Sequence, residues 1–231
     1  MVESTETKQV KVALIGATGA IGKEIVKHAQ KDPRISELCL VVRKRLEEWK
    51  DEDFKCKLKV VQMETFDDMS SLKDTIQGYD AMLCTLGTRV KVGKELFKKV
   101  DYEYPIEFAK VGVENGVHYY GLLSSMGADP TSWFFYMKTK GEVERDIKKV
   151  GIQHLGIYKP GLLLNRDNDS RVGEKIGSFI PFISKIESSD VGLAMLDNAI
   201  KASITRVDKP TVDELNNSDQ KTYVANIKQN L

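Results

Sequence analysis

The stretch Val10-Lys11-Val12-Ala13-Leu14-Ile15-Gly16-Ala17-Thr18-Gly19-Ala20-Ile21-Gly22 decides the fold of this chain. Its apolar first half predicts a buried strand, and the glycines after it recur at intervals of three residues. Gly16 permits a sharp turn, Gly19 lets the backbone approach a ligand without a Cβ in the way, and Gly22 allows the next helix to pack closely on the strand. A helix that starts here directs free N–H groups and its positive dipole end at phosphates. The stretch therefore predicts a turn that holds the pyrophosphate of a dinucleotide.

The rest of the chain repeats this order of strand and helix. Short apolar runs rich in Val, Leu and Ile occupy residues 38–42, 58–61, 81–86, 117–123 and 153–158. Helical patterns occupy residues 21–31, 70–77, 95–115, 132–150, 188–201 and 218–229. This alternation predicts an α/β protein with a doubly wound parallel sheet, the Rossmann fold. We expect one domain over residues 1–231, in which residues from about 162 to 231 form a small substrate-side extension.

The end of the second predicted strand bears on the choice of dinucleotide. A site for NAD places an acidic residue there to bind the ribose hydroxyls. This chain instead reads Val41-Val42-Arg43-Lys44-Arg45. Because Arg43 or Lys44 can bind a 2′-phosphate, the pattern favours NADP(H) over NAD(H), the alternative being an ordinary solvated basic loop.

A candidate catalytic set follows the fifth predicted strand. Ser124 and Ser125 end that strand, and Tyr136 and Lys140 lie four residues apart on the next helical pattern, so they share a helix face. Reduction of a carbonyl needs a hydride and a proton, and a free tyrosine, with a pKa of about 10, releases its proton reluctantly at neutral pH. A neighbouring ammonium favours the phenolate, while a serine hydroxyl can hold the substrate oxygen. Either serine fits that role.

Composition excludes several other classes of function. The 231 residues carry a formal net charge of +1, without the basic excess of a nucleic-acid binder. No apolar run reaches the roughly 20 residues that span a bilayer. The three cysteines form no Cys-x-x-Cys and the three histidines stand apart, so neither a disulfide framework nor a metal site is expected. Because the N-terminus is also too polar for a secretory signal, we expect a cytoplasmic, possibly also nuclear, location.

These residues together resemble the short-chain dehydrogenase/reductase superfamily in its atypical branch. The chain is most similar to the HIV Tat-interacting protein family of oxidoreductase-like proteins, and the resemblance runs from about Val10 into the C-terminal region. The matching stretches are Cys84-Thr85-Leu86-Gly87-Thr88-Arg89, Val100-Asp101-Tyr102, Leu122-Leu123-Ser124-Ser125-Met126-Gly127-Ala128-Asp129, residues 136–144 and Pro160-Gly161-Leu162-Leu163-Leu164.

The resemblance implies roles for individual residues. The pyrophosphate would be held by Thr18, Gly19, Ala20 and Ile21, and the adenosine phosphate by Arg43 and Lys44. The cofactor would be lined by Leu86 and Gly87, with Leu163 beside the nicotinamide and Arg171 reaching the cofactor region. Tyr136 and Lys140 would serve catalysis and bind the nicotinamide ribose. Two departures stand out: Lys44 replaces a frequent second arginine, and the segment 179–189 is shorter than its counterpart.

Three functions fit the sequence to different degrees. The first is an NADP(H)-dependent oxidoreductase acting on a small carbonyl or alcohol, with Tyr136 as acid and base. The second, which the resemblance implies, is a regulatory protein whose NADP(H) occupancy controls protein partners in transcription, nuclear transport or membrane trafficking. The third, an epimerase or dehydratase of nucleotide sugars, fits less well because 231 residues leave little room for a larger substrate domain.

Overall fold

A parallel β-sheet forms the centre of the computed structural model, which describes residues 8–164 and 184–229. In that sheet seven strands lie in the order β3-β2-β1-β4-β5-β6-β9, and every neighbouring pair is parallel. These strands are β1 (Val10–Ile15), β2 (Ile35–Val42), β3 (Lys57–Gln62), β4 (Ala81–Cys84), β5 (Tyr119–Leu123), β6 (His154–Lys159) and β9 (Thr211–Asn216). Two more strands, β7 (Leu162–Leu164) and β8 (Lys185–Glu187), pair with each other in a small parallel sheet.

Helices cover both faces of the central sheet. They are α1 (Ala20–Ala29), α2 (Leu72–Thr75), α3 (Lys94–Lys98), α4 (Tyr104–Glu114), α5 (Phe135–Ile147), α6 (Ser188–Thr205) and α7 (Asn217–Gln229). The buried side chains form two clusters. Val12 and Leu14 of β1 belong to the cluster that contains α1 and α6, whereas Ala13 and Ile15 belong to the cluster that contains α4 and α5. A strand buried on both faces needs apolar side chains in succession, which explains the unbroken run in β1.

The fold class expected from the sequence is confirmed. The chain runs from β1 outward to β2 and β3, and then crosses to β4 on the other side of β1. This reversal opens a crevice between the carboxyl ends of β1 and β4, the place where doubly wound folds bind ligands. Strand β9, at one edge of the central sheet, was not predicted, because its residues are mostly exposed and lack an apolar pattern.

A π turn interrupts the helix that follows β4. The backbone is α-helical over Lys94–Lys98, π-helical over Lys99–Glu103 and α-helical again over Tyr104–Glu114. Pro105 explains this break, because proline has no N–H to bond with the carbonyl of Asp101 four residues earlier and its ring crowds that carbonyl. The π turn brings Asp101 into the interior, where it is only 1% exposed.

Candidate active site

A cleft of about 360 Å³ lies at the carboxyl ends of the central strands. Of the residues predicted for the site, those that line it are Gly19, Ala20, Ile21, Leu86, Gly87, Ser124, Ser125, Tyr136, Lys140 and Leu163. The start of α1, the loop after β4, the end of β5, one face of α5 and strand β7 thus meet in one place, although up to 144 positions separate them in the sequence (163 − 19 = 144).

The three glycines of the first turn are present for different structural reasons. Gly16 has a positive φ of 90°, and a Cβ there would lie 2.7 Å from Thr85 Oγ1. A Cβ on Gly22 would lie 2.2 Å from the carbonyl oxygen of Gly16. By contrast, Gly19 has an extended backbone (φ −77°, ψ 169°), and a Cβ there meets only the Gly16 oxygen at 3.4 Å, an ordinary contact. The protein itself therefore requires Gly16 and Gly22, while Gly19 leaves open the space that an incoming ligand would fill.

The N-terminus of α1 has the properties of an anion site. Gly19 is the N-cap and supplies no side-chain cap, and the first turn contains no acidic residue. The first hydrogen bond inside the helix runs from the Lys23 N–H to the Gly19 carbonyl at 2.9 Å. The N–H groups of Ala20 and Ile21 precede it, and both residues line the cleft. These donors and the helix dipole fit a bound pyrophosphate.

The basic residues after β2 divide into two groups. Arg45 donates to the Trp49 carbonyl oxygen at 2.8 Å and to Asp51 Oδ1 at 3.1 Å. Arg43 and Lys44 are exposed, and within residues 8–164 and 184–229 neither forms a hydrogen bond or an ion pair. Both stand outside the cleft lining, as do Gly16, Thr18 and Gly22. Arg171 lies outside the described residues.

Lys140 is buried and ion-paired at the inner end of the cleft. Its Nζ lies 2.8 Å from Asp101 Oδ1, and the two side chains are 6% and 1% exposed. Burial by itself lowers the pKa of Lys140, but the charge and hydrogen bond of Asp101 outweigh it, so the pKa of Lys140 is raised above its ordinary value. Lys140 is therefore a fixed ammonium group at the floor of the cleft.

The two serines at the end of β5 have different partners. Ser124 is buried and its hydroxyl donates to Glu144 Oε1, whose other oxygen lies 2.8 Å from Lys159 Nζ. The Ser125 hydroxyl makes a single long hydrogen bond, 3.3 Å, to the Met126 carbonyl oxygen among the described residues. The Ser124 hydroxyl thus already donates its proton to a buried carboxylate, whereas the weakly bonded Ser125 hydroxyl can donate to a ligand instead.

An aromatic side chain packs against Tyr136 in the cleft. Its ring lies 5.7 Å from that of Phe97, centroid to centroid, and Phe97 also contacts Phe135 at 5.5 Å. Trp133 and Phe134, immediately before α5, are exposed. Packing against Phe97 holds the Tyr136 ring, and the half-buried side chain lines the cleft.

Sequence reasoning gave no role to Asp101, Glu144 or Lys159. The signal was present, because Asp101 follows Phe97 by four residues and precedes Phe108 by seven, which places a carboxylate on the apolar side of the helix. Glu144 likewise lies between Val143 and Ile147, both fully buried. Charged residues on a buried helix face need partners, and these partners are 39 (140 − 101) and 20 (144 − 124) residues away in sequence.

Comparison with protein families shows to which family the chain belongs. Residues 16–201, which include the glycine turn and the Tyr136–Lys140 pair, match the model described as NAD(P)H-binding. The chain belongs to this NAD(P)H-binding family. A nicotinamide dinucleotide is therefore the class of cofactor, and the expected resemblance to atypical short-chain dehydrogenases and the Tat-interacting family is confirmed.

Curated relatives of this family member cover most of its length. It is 36% identical to "Protein FMP52, mitochondrial" of Candida albicans over 205 residues, which are 81% of this chain and 87% of that protein. It is 32% identical to "Protein HTATIP2" of Rattus norvegicus over 173 residues, 74% of this chain and 70% of that one.

Solved structures show the same fold at low identity. MoeE5 in complex with UDP-glucuronic acid and NAD superposes with a TM-score of 0.69 at 15% identity, over 89% of this chain and 75% of that one. A short-chain dehydrogenase family protein from Francisella tularensis gives 0.62 at 13% identity, over 92% and 99%. These likenesses show that this NAD(P)H-binding protein has the Rossmann fold.

The expected cytoplasmic, possibly nuclear, location is wrong. Relatives from Candida albicans, Saccharomyces cerevisiae and Emericella nidulans are named mitochondrial. The expectation relied on the lack of a secretory signal and of a spanning run, and neither property distinguishes the cytosol from a mitochondrion. In the two described segments, no helix is both long and apolar enough to cross a bilayer.

Proposed function

We propose that this protein is an NADP(H)-dependent oxidoreductase that interconverts a small carbonyl compound and its alcohol. One observation carries the proposal: a single cleft joins the bare N-terminus of α1 to Ser125, Tyr136 and Lys140. The first feature fits the phosphates of the cofactor and the second set fits the chemistry of a polarised carbonyl.

The preference for the phosphorylated cofactor comes from the end of β2. Arg43 and Lys44 are exposed and unpaired among the described residues, and both follow the strand where an NAD site would place an acid. A guanidinium group can bind a 2′-phosphate through two parallel hydrogen bonds, and the ammonium adds a second positive charge. Arg45, already bonded to Trp49 and Asp51, is not needed for this contact.

The bound cofactor supplies or accepts the hydride. In the reducing direction the substrate carbon gains that hydride, and the Tyr136 hydroxyl donates its proton to the substrate oxygen, so that the carbonyl becomes an alcohol. In the oxidising direction Tyr136 accepts the proton. The Lys140 ammonium stabilises the negative charge that Tyr136 carries after donation, and Ser125 donates a hydrogen bond to the substrate oxygen.

Removal of the Tyr136 hydroxyl group tests the proposed reaction. We expect Tyr136→Phe to lower turnover of NADPH with a panel of small aldehydes and ketones by roughly 100-fold or more, because general acid catalysis is lost. NADPH affinity, measured by calorimetry, should stay within about threefold of that of the unsubstituted protein, because the phosphate contacts lie elsewhere.

Tyr104→Phe is the matched control. Its hydroxyl donates to Asp67 Oδ1 at 2.7 Å, and Tyr104 does not belong to the cleft lining. This variant should retain turnover. If Tyr136→Phe turns over substrate as fast as Tyr104→Phe, the proposed role of Tyr136 is wrong.

A second candidate is a regulatory protein that presents a surface according to its NADP(H) occupancy. The exposed side chains of Trp133 and Phe134 favour it, since they directly precede the residues of α5 that line the cleft. Acrylamide quenching of tryptophan fluorescence reports on Trp133, because the other tryptophan, Trp49, is buried. Saturating NADP⁺ should change the quenching if occupancy alters this surface, and unchanged quenching would remove the candidate.

A further inference from the structure

We propose that Asp101 is a positioning residue of this site, which fixes the Lys140 ammonium for the cofactor ribose and ties it to the loop after β4. The inference rests on the proposed function, because it concerns the same cleft. No motif of the sequence assigned Asp101 a role; Asp101 lines the cleft and acts on the chemistry through Lys140.

The carboxylate of Asp101 joins two parts of the cleft wall. Oδ1 lies 2.8 Å from Lys140 Nζ on α5. Oδ2 accepts a hydrogen bond of 2.8 Å from the backbone N–H of Thr88. Thr88 follows Leu86 and Gly87, which line the cleft, so one side chain sets the distance between this loop and the lysine. A charge buried this deeply is stable only when it is paired and hydrogen-bonded, and both oxygens of Asp101 meet that condition.

The backbone is shaped to deliver this side chain. Asp101 lies in the π turn Lys99–Glu103, directly before the α4 segment whose second residue is Pro105. Such single π turns inside helices are frequent at functional sites. On either side of it Phe97 and Phe108 are fully buried, so the surroundings are apolar and the pair is shielded from water.

The titratable groups with the largest effects on the charge of Lys140 come from three elements of the described part of the chain. They are Asp101 from the π turn, Tyr136 from its own helix and Cys84 from β4. Burial raises the pKa of the Cys84 thiol to about 11, so this group is neutral at physiological pH. Asp101 thus supplies the negative charge that keeps Lys140 protonated.

The sign of the pH effect follows from these contacts. With Asp101 present, the pKa of Lys140 is raised above the ordinary lysine pKa of about 10.4. Lys140 therefore keeps its proton throughout the physiological range and loses it only at higher pH. Without the carboxylate, burial dominates and lowers the pKa of Lys140, so the proton is lost at lower pH. A role limited to packing would not change the protonation of Lys140.

The experiment compares Asp101→Asn with Glu103→Gln, an exposed acid two residues along that loses the same charge. The double variant Asp101→Asn/Lys140→Met removes both partners and identifies the Lys140 signal by its disappearance. Two quantities are measured from pH 7 to 9. The first is the chemical shift of the Lys140 side chain in protein labelled with ¹³C-lysine, without cofactor. The second is the dissociation constant for NADPH.

In Glu103→Gln and in the unsubstituted protein we expect Lys140 to stay protonated from pH 7 to 9. NADPH affinity should not change with pH in either protein. In Asp101→Asn the Lys140 signal should become that of the neutral amine at a lower pH than in the unsubstituted protein, and NADPH affinity should be roughly tenfold weaker where this proton is lost. The double variant should bind weakly but without this pH dependence. A Lys140 that stays protonated up to pH 9 in Asp101→Asn, with the NADPH affinity of Glu103→Gln, would overturn the proposal.

A measurement on the unsubstituted protein covers the case in which Asp101→Asn does not fold. The Thr88 amide should exchange with solvent at least tenfold more slowly than the amides of Val90 and Lys91 in the exposed stretch that follows, because Asp101 accepts its hydrogen bond. Exchange as fast as in those neighbours would contradict the positioning role. Failure of the proposed function is distinct, since a protein that binds no NADPH still reports its Lys140 titration.

Discussion

The two halves of the cleft are built by different means. The half formed by the first turn and α1 consists of backbone and small residues, and its glycines are explained by contacts of 2.2 and 2.7 Å that a Cβ would make. The half formed by β5 and α5 consists of side chains, two of which are held by charged partners: Lys140 by Asp101, and Ser124 by Glu144. A backbone half can bind the constant part of a cofactor, whereas a half of oriented side chains can perform chemistry. Substitutions that separate structural from ligand-directed roles test this division.

Gly22→Ala should have the largest effect and should act on the fold. Its Cβ would lie 2.2 Å from the Gly16 oxygen and 2.8 Å from the Ala17 Cα, both backbone atoms that cannot move away cheaply. We expect a loss of about 3 kcal/mol in the free energy of unfolding, measured by urea denaturation. A change below about 0.5 kcal/mol would mean that the turn relaxes and that Gly22 has no packing role.

Gly19→Ala should show the opposite pattern. The backbone angles at Gly19 suit any residue and its Cβ meets only an ordinary contact, so the free energy of unfolding should change by less than about 0.5 kcal/mol. NADPH affinity should fall roughly 30-fold, because the methyl group occupies the space of the pyrophosphate. Equal calorimetric affinities of Gly19→Ala and the unsubstituted protein would place the cofactor elsewhere.

Ser125→Ala and Ser124→Ala divide the chemical half. Loss of the Ser125 hydroxyl should lower kcat/KM roughly tenfold, about 1.4 kcal/mol, without a change in the free energy of unfolding. Loss of the Ser124 hydroxyl removes the donor to Glu144, so it should reduce stability by about 1 kcal/mol. Both kcat/KM and the free energy of unfolding are measured for both variants. A larger loss of kcat/KM in Ser124→Ala, with unchanged stability, would make Ser124 the serine that contacts the substrate.

Arg43→Ala should have the smallest effect of the set. An exposed arginine that binds a phosphate contributes about 1 kcal/mol, so NADPH affinity should fall roughly fivefold while NADH affinity stays unchanged. Arg45→Ala is the control, because Arg45 is already bonded to the Trp49 carbonyl and Asp51. Equal losses of NADPH and NADH affinity in Arg43→Ala would argue against a 2′-phosphate contact.

The same division explains what the sequence could predict. The glycine turn is local, since strand, turn and helix start lie within residues 10–22, and its spacing alone indicates the site. The Tyr136–Lys140 pair is also local, because both residues share one helix face. For Asp101 and Glu144 the sequence shows only a carboxylate on an apolar helix face. Their partners could not be assigned, because they come from other elements and only the packing of α5 on the π turn and β5 brings them together.

The close approach of the loop after β5 to α5 was equally hidden in the sequence. A Cβ on Gly141 would lie 2.1 Å from the Pro130 nitrogen, so only glycine lets this loop pack beside Lys140. Strand β9 (Thr211–Asn216) was not predicted for a different reason. It lies at the edge of the sheet, and its residues are mostly exposed and form a polar pattern.

Calorimetric titration of the unsubstituted protein with NADPH and with NADH tests the proposed function most directly. The bare helix N-terminus, the open space at Gly19 and the exposed Arg43 and Lys44 predict binding of both, with NADPH bound at least fivefold more tightly. Stronger binding of NADH would contradict the role of the basic residues after β2. No binding of either dinucleotide would contradict the assignment of the cleft itself.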